Sequence, residues 1–131
     1  MSQSAAQAAA FFRDAVRTRR VWTVQDTGGI PAPRTGNGAR AVPFWSTENR
    51  VRHIIATVPA YRGFEPVAIE LDDWRNDWIP GCSRDGLLLG INWSGPRAVG
   101  WDLEPAHALA RLDAAQRTAS TPASPATPPS P

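Results

Sequence analysis

Apolar residues recur along this chain with two different periods, and each change of period marks an element. In "ENRVRHIIATV", Val51, Ile54, Ile55 and Val58 fall at i, i+3, i+4 and i+7, which puts them on one face of a helix. Ser46 or Thr47 can cap that helix and Pro59 ends it. From about Ser4 to Arg20 the chain is rich in alanine, a strong helix former. Phe12, Ala15 and Val16 share one side of this first helix, and Arg17, Arg19 and Arg20 sit near its end, where cations complement the helix dipole. "VWTVQ" is β-branched and aromatic and predicts a strand that stops at Gly28 and Gly29, followed by a Pro- and Gly-rich loop through Gly38. A second strand is expected around Val42 to Trp45. "PVAIEL" alternates, with Val67, Ile69 and Leu71 on one face; Asp72 or Asp73 then opens a short helix bearing Trp74 and Trp78, closed by Pro80-Gly81.

"LLLGINWSGPRAVGWDL" predicts a β-hairpin. Leu87, Leu89, Ile91 and Trp93 fall on one face, matched by Val99, Trp101 and Leu103 across an odd-length loop from Ser94 to Ala98. The opposite face then carries Gly90, Asn92 and Gly100, so small that something is expected to approach the sheet closely there. Glu104-Pro105 opens a last helix with Leu109 and Leu112 inward. Beyond Arg117, "TASTPASPATPPSP" has neither charge nor apolar periodicity and cannot offset its ordering entropy. The expected architecture is α+β: a single domain over residues 1–117, with a mostly antiparallel sheet of roughly four to five strands packed by three to four helices, and a disordered tail over 118–131.

Size and composition narrow the class. At 131 residues the chain suits one compact domain, and no apolar run approaches the roughly 20 residues that cross a bilayer, so no membrane partner is expected. The first twenty residues lack the apolar block of a signal peptide, and a lone cysteine, Cys82, makes no internal disulfide; both agree with a cytoplasmic location. Net charge is only +2 and every basic residue is an arginine. "RTRR" at 17–20 is a small footprint for nucleic acid, and no nucleic-acid partner is expected.

Several short motifs promise chemistry that their context withholds. Asp26-Thr27-Gly28 is the catalytic tripeptide of aspartic proteases, which need two such carboxylates sharing a proton, and "LLLG" at 87–90 resembles the apolar segment beside that loop in retroviral-type enzymes. Gln25 before it and Gly29-Ile30-Pro31 after it depart from that pattern, and such proteases are almost wholly β, so Asp26 to Gly29 is expected to be a strand-ending turn. "GNGARA" at 36–41 fits a dinucleotide fingerprint but lacks the preceding strand and following helix. Cys82 in "PGCSRDG" is expected in an exposed loop with no activating base. His53 and His107 have no ligand partners at metal-binding spacing, so neither metal nor cofactor is expected. Six tryptophans are many for this length; most are expected in the core.

Taken together, "VWTVQDTGGIPAP", "AVPFWST", "FEPVAIELDDW" and "DGLLLGINWSGPRAVGWDLEP" resemble the domain of unknown function 2750 family of small bacterial proteins, in consistent order from about Phe12 to Glu104. The resemblance implies a small α+β domain with no established activity. "FWST" followed by "VAIEL" is similar, more loosely, to SseB-type domains used in secretion and as toxin-immunity proteins. The favoured expectation is a non-catalytic module that binds another protein, such as a toxin or secretion component. The alternative is an enzyme or small-ligand binder on the glycine-lined face near Asn92 and Asp102. Arg97, Asn92, Asp102 and Asp26 are the candidate contact residues; Arg97, at the hairpin tip, offers a planar fork to a partner's carboxylate.

Overall fold

The computed structural model describes residues 3–120. In chain order the elements are α1 (Gln3–Thr18), β1 (Arg20–Gln25), β2 (Ala41–Phe44), α2 (Glu48–Thr57), a 3₁₀ turn (Pro59–Tyr61), β3 (Glu65–Glu70), α3 (Leu71–Asp73), a π turn (Trp74–Trp78), α4 (Ile79–Asp85), β4 (Leu88–Ser94), β5 (Val99–Leu103) and α5 (Pro105–Ser120). The fold is therefore α+β, as the periodicity predicts.

The five strands form two small sheets. β1 and β3 pair antiparallel, with Val21 opposite Ile69; β4 stands between β2, which runs parallel to it, and β5, which runs antiparallel. One bridge, Trp22 to Trp45, joins the two sheets. Pro43 explains why it does not extend into a ladder, because it has no N–H to give; Thr23 Oγ1 instead donates to the Pro43 carbonyl at 2.7 Å.

All four residues of β2 are buried, because helices and the other sheet cover both of its faces. On one side Val42 and Phe44 join Leu89, Ile91 and Leu103 against Phe11 and Phe12 of α1, Leu112 of α5 and Trp74. On the other, Ala41 and Trp45 join Val24, Tyr61, Trp93 and the inner face of α2. Of the four residues the helical spacing singles out, Val51, Ile54 and Val58 are buried there and Ile55 is partly buried against them. Thr47 caps α2 by accepting from the Arg50 N–H at 3.2 Å, and Pro59 ends it.

Three expectations need correction. The helix bearing Trp74 and Trp78 opens at Leu71, with no side-chain cap from an aspartate, and it does not stop at Pro80-Gly81. Pro80 is carried because the preceding turn widens: Ile79 N–H reaches back to the Trp74 carbonyl, the five-residue span of a π turn, where an ordinary turn would meet the proline ring. The helix ends instead at Gly86, whose φ of 71° suits a left-handed cap. Cys82 consequently lies within α4 and is buried, not in an exposed loop. Finally, α5 runs past Arg117 to Ser120, since Thr118 and Ala119 lie along α1 and Thr118 Oγ1 donates to the Ala114 carbonyl. The remainder of the expected tail, residues 121–131, lies outside the described residues.

Candidate interaction site at the hairpin

The hairpin takes its shape from Asn92. This residue has a φ of 46°, a left-handed conformation that asparagine adopts more readily than most non-glycine residues. Pairing shifts at the same place. Ile91 is opposite Trp101 and Ser94 opposite Val99, so Asn92 and Trp93 together face Gly100 alone. That is a β-bulge, and one extra residue turns the next side chain to the other face. Trp93 therefore does not share a face with Leu89 and Ile91, as strict alternation predicts. It lies across Gly90 and Gly100: a Cβ on Gly90 would meet the indole at 2.3 Å and one on Gly100 at 3.2 Å. The small residues do mark a close approach, and the approaching group is the hairpin's own tryptophan.

Asn92 itself points into the protein and is 1% exposed. Its Oδ1 accepts from the Ser46 N–H at 2.9 Å, and its Nδ2 donates to the Gln7 carbonyl at 3.2 Å and to Ser46 Oγ at 3.1 Å. Ser46 Oγ in turn donates to Asp14 Oδ2. The amide thus ties α1, the entry to α2 and β4 at one point, and all its polar atoms have partners within the chain.

Trp93 Nε1 donates to Asp102 Oδ1 at 2.8 Å, and the Trp93 carbonyl accepts from Trp45 Nε1 at 2.9 Å. Around this pair lies a cavity of about 390 Å³, lined by Trp93, Tyr61, Ala98, Gly100 and Asp102, with Arg97 from the hairpin tip and Arg34 and Thr35 from the Pro- and Gly-rich loop. Two sequence candidates, Arg97 and Asp102, are brought together here. The Tyr61 and Arg34 walls were missed, because only the tertiary fold carries residues 33–36 to the hairpin. Arg34 donates to the Gly38 carbonyl; Arg97 is exposed and takes part in none of the described ion pairs.

Asp26 stands apart from this group. Its Oδ1 accepts from the Gly28 N–H at 2.8 Å while its backbone exchanges hydrogen bonds with Gly29, an exposed turn at the end of β1. It does not line the cavity.

Burial pushes the Asp102 carboxyl above its ordinary range, and the Trp93 hydrogen bond pulls the other way. The folded chain thus holds this proton more readily than the unfolded chain, so stability falls as pH rises through the window from the ordinary aspartate value to the raised one. Asp102→Asn keeps an oxygen for the indole and removes the charge. Its unfolding midpoint is expected above that of the wild type at neutral pH, with the gap closing in acid; a variant less stable than the wild type at neutral pH would contradict this account.

Two further hollows lie elsewhere. A groove of about 710 Å³ runs between α1 and α5, lined by alanines, Phe12, Val16, Arg13, Arg17 and Arg111. Its cations are engaged: Arg13 and Arg17 lie against Asp14, and Arg111 stacks over the Phe12 ring at 4.9 Å. Cys82 lines an apolar hollow of about 380 Å³ with Ile30, Val42 and Leu87. Burial, with the Asp85 charge beside it, pushes its thiol up to about 11, so it is not a ready nucleophile at neutral pH. His53 and His107 are exposed, and among the described residues no three His, Cys, Asp or Glu side chains are grouped to hold a metal. No described helix is long and apolar enough to cross a membrane.

The two outer strands differ as well, β1 and β2 being turned toward each other at the Trp22–Trp45 bridge. β3 carries Pro66 and the charges Glu65 and Glu70, the second paired with Arg20 at 3.4 Å, all devices that discourage strand addition. β5 has no proline, its one charged residue, Asp102, is held by the Trp93 indole, and its outer backbone groups meet no partner among the described residues. It also holds the large apolar side chains left exposed among the described residues, Val99 at 61% and Trp101 at 37%.

These features define a small α+β domain with a proline-free outer strand, β5, beside a cavity that Asp102 lines. The model of a family of proteins of unknown function, DUF2750, matches residues 8–112, and the chain belongs to that family. No curated protein matches it.

Proposed function

We propose that the protein is a non-catalytic binding module that takes up an extended segment of another protein by strand addition along β5. The observation that carries this reading is the contrast between the two outer strands: β3 is blunted by proline and charge, whereas β5 offers unpaired backbone groups flanked by Val99 and Trp101. Main-chain hydrogen bonds would supply affinity, and Trp101 and Arg97 belong to the residue types that dominate interface energies. A toxin or secretion component remains the expected kind of partner from the resemblance to SseB-type domains.

The test is selection of binders from a displayed library of random linear peptides, followed by amide exchange mapping. Selected peptides are expected to slow exchange in β5. Val99→Lys, which puts a gatekeeping charge on an exposed position, should weaken them at least about tenfold while changing stability by less than about 0.5 kcal/mol. Arg97→Ala should weaken peptides that carry an acid without altering the unfolding midpoint. Unchanged affinity in Val99→Lys, or protection confined to other surfaces, would overturn the proposal.

A further inference from the structure

The cavity under the hairpin has a polarity that specifies its occupant. Asp102 lines it, with Oδ1 held by the Trp93 indole and Oδ2 accepting nothing from the described residues. None of the described ion pairs includes Asp102, although Arg34 and Arg97 line the same space. Arg34 is turned to the Gly38 carbonyl and Arg97 is exposed at the tip. A carboxylate without a counter-ion, in a space also lined by Trp93 and Tyr61, is suited to a cation on an apolar stem, which gains charge pairing at its head and apolar contact along its length. The unpaired Arg97 is suited to an acid beside that cation.

Position supplies the second part of the argument. Val99, Gly100 and Asp102 of β5 form one wall of the cavity, so a strand laid against β5 turns alternate side chains toward that wall. We infer that the cavity is a specificity pocket for a lysine or arginine side chain carried by the segment added to β5, with its cation on Asp102 Oδ2 and a neighbouring acid of the same segment on Arg97. This inference rests on strand addition for the source of the side chain, but not for the chemistry of the pocket. The raised Asp102 carboxyl agrees with a missing counter-ion, and binding of a cation should lower it again.

The experiment uses the full chain and two kinds of probe. In the first arm, Nα-acetyl-lysine amide and its norleucine counterpart are titrated at neutral pH while the Trp93 indole N–H resonance is followed. The lysine probe is expected to give a saturable shift in the millimolar range; the norleucine probe should give none, and Asp102→Asn should abolish the response. Equal responses to the two probes, or none to lysine, would overturn the pocket whatever happens at β5. In the second arm, extended peptides that protect β5 are compared with lysine or glutamine at the residue facing the cavity. A preference for lysine of about tenfold that disappears in Asp102→Asn supports the inference. A lysine probe that binds while extended peptides gain nothing from lysine would overturn the partner segment as its source and make a free basic amino acid the occupant.

Discussion

Gly90→Ala is expected to destabilise the fold by about 2 kcal/mol, a large effect for one methyl group. Its Cβ would fall 2.3 Å from the Trp93 ring, and the ring has little freedom to yield because its Nε1 is held by Asp102 and its backbone carbonyl by Trp45. Overpacking of this kind costs about 1–3 kcal/mol. Trp93→Ala alone should cost about 3–5 kcal/mol through the cavity it leaves. The decisive measurement is the double variant in urea unfolding. Once the ring is gone, Gly90→Ala should be neutral or stabilising, since alanine restricts the unfolded chain more than glycine does. A coupling energy near zero, in place of about 2 kcal/mol, would show that the bulge does not hold Trp93 over Gly90.

The second large effect is expected at Asn92. Asn92→Ala should cost about 3 kcal/mol, because it leaves the buried Ser46 N–H without its acceptor, removes the tie to the Gln7 carbonyl of α1 and forces alanine into a left-handed conformation. Asn92→Gly separates the two causes. Glycine accepts the backbone but restores neither hydrogen bond, so it should recover about 1 kcal/mol of the loss. If glycine proved no better than alanine, the backbone conformation would carry none of the cost; full recovery by glycine would show that the amide bonds carry none. Against a total stability of about 5–15 kcal/mol for a domain of this kind, either variant is a severe test of the fold.

What could be read from the sequence follows from how local each signal is. The helical repeat of Val51, Ile54 and Val58, its cap at Thr47 and its stop at Pro59 all lie within one short stretch and match α2. The alternation in "PVAIEL" and the β-branched "VWTVQ" likewise match β3 and β1. The hairpin itself was legible, but not its facing, because one left-handed residue leaves no mark on an apolar pattern while reversing every side chain after it. Gly90 and Gly100 marked the place of close approach without naming what approaches. Arg97 and Asp102 were legible as candidates, being on or beside the hairpin. Tyr61 and Arg34 were not, since their positions in the cavity depend on how the loop before β2 and the 3₁₀ turn pack against it. Pro80 misled for a physical reason: proline stops an ordinary helix, and here the turn before it is not ordinary.

That π turn also governs how the chain can change in length. Trp74 and Ile79, five residues apart, are both buried against the same core, a spacing that a regular helix would place on different sides. The widened turn behaves as a one-residue insertion absorbed inside the helix. Loss of a single residue between them, such as Asn76, would return the pair to the four-residue spacing at which regular helical side chains share a face. Shortening by one therefore keeps both core contacts only if Pro80 is replaced as well, because the ordinary turn it restores would meet the proline ring, whereas loss of one residue between Val51 and Ile54 in α2 would carry Ile54 off the buried face.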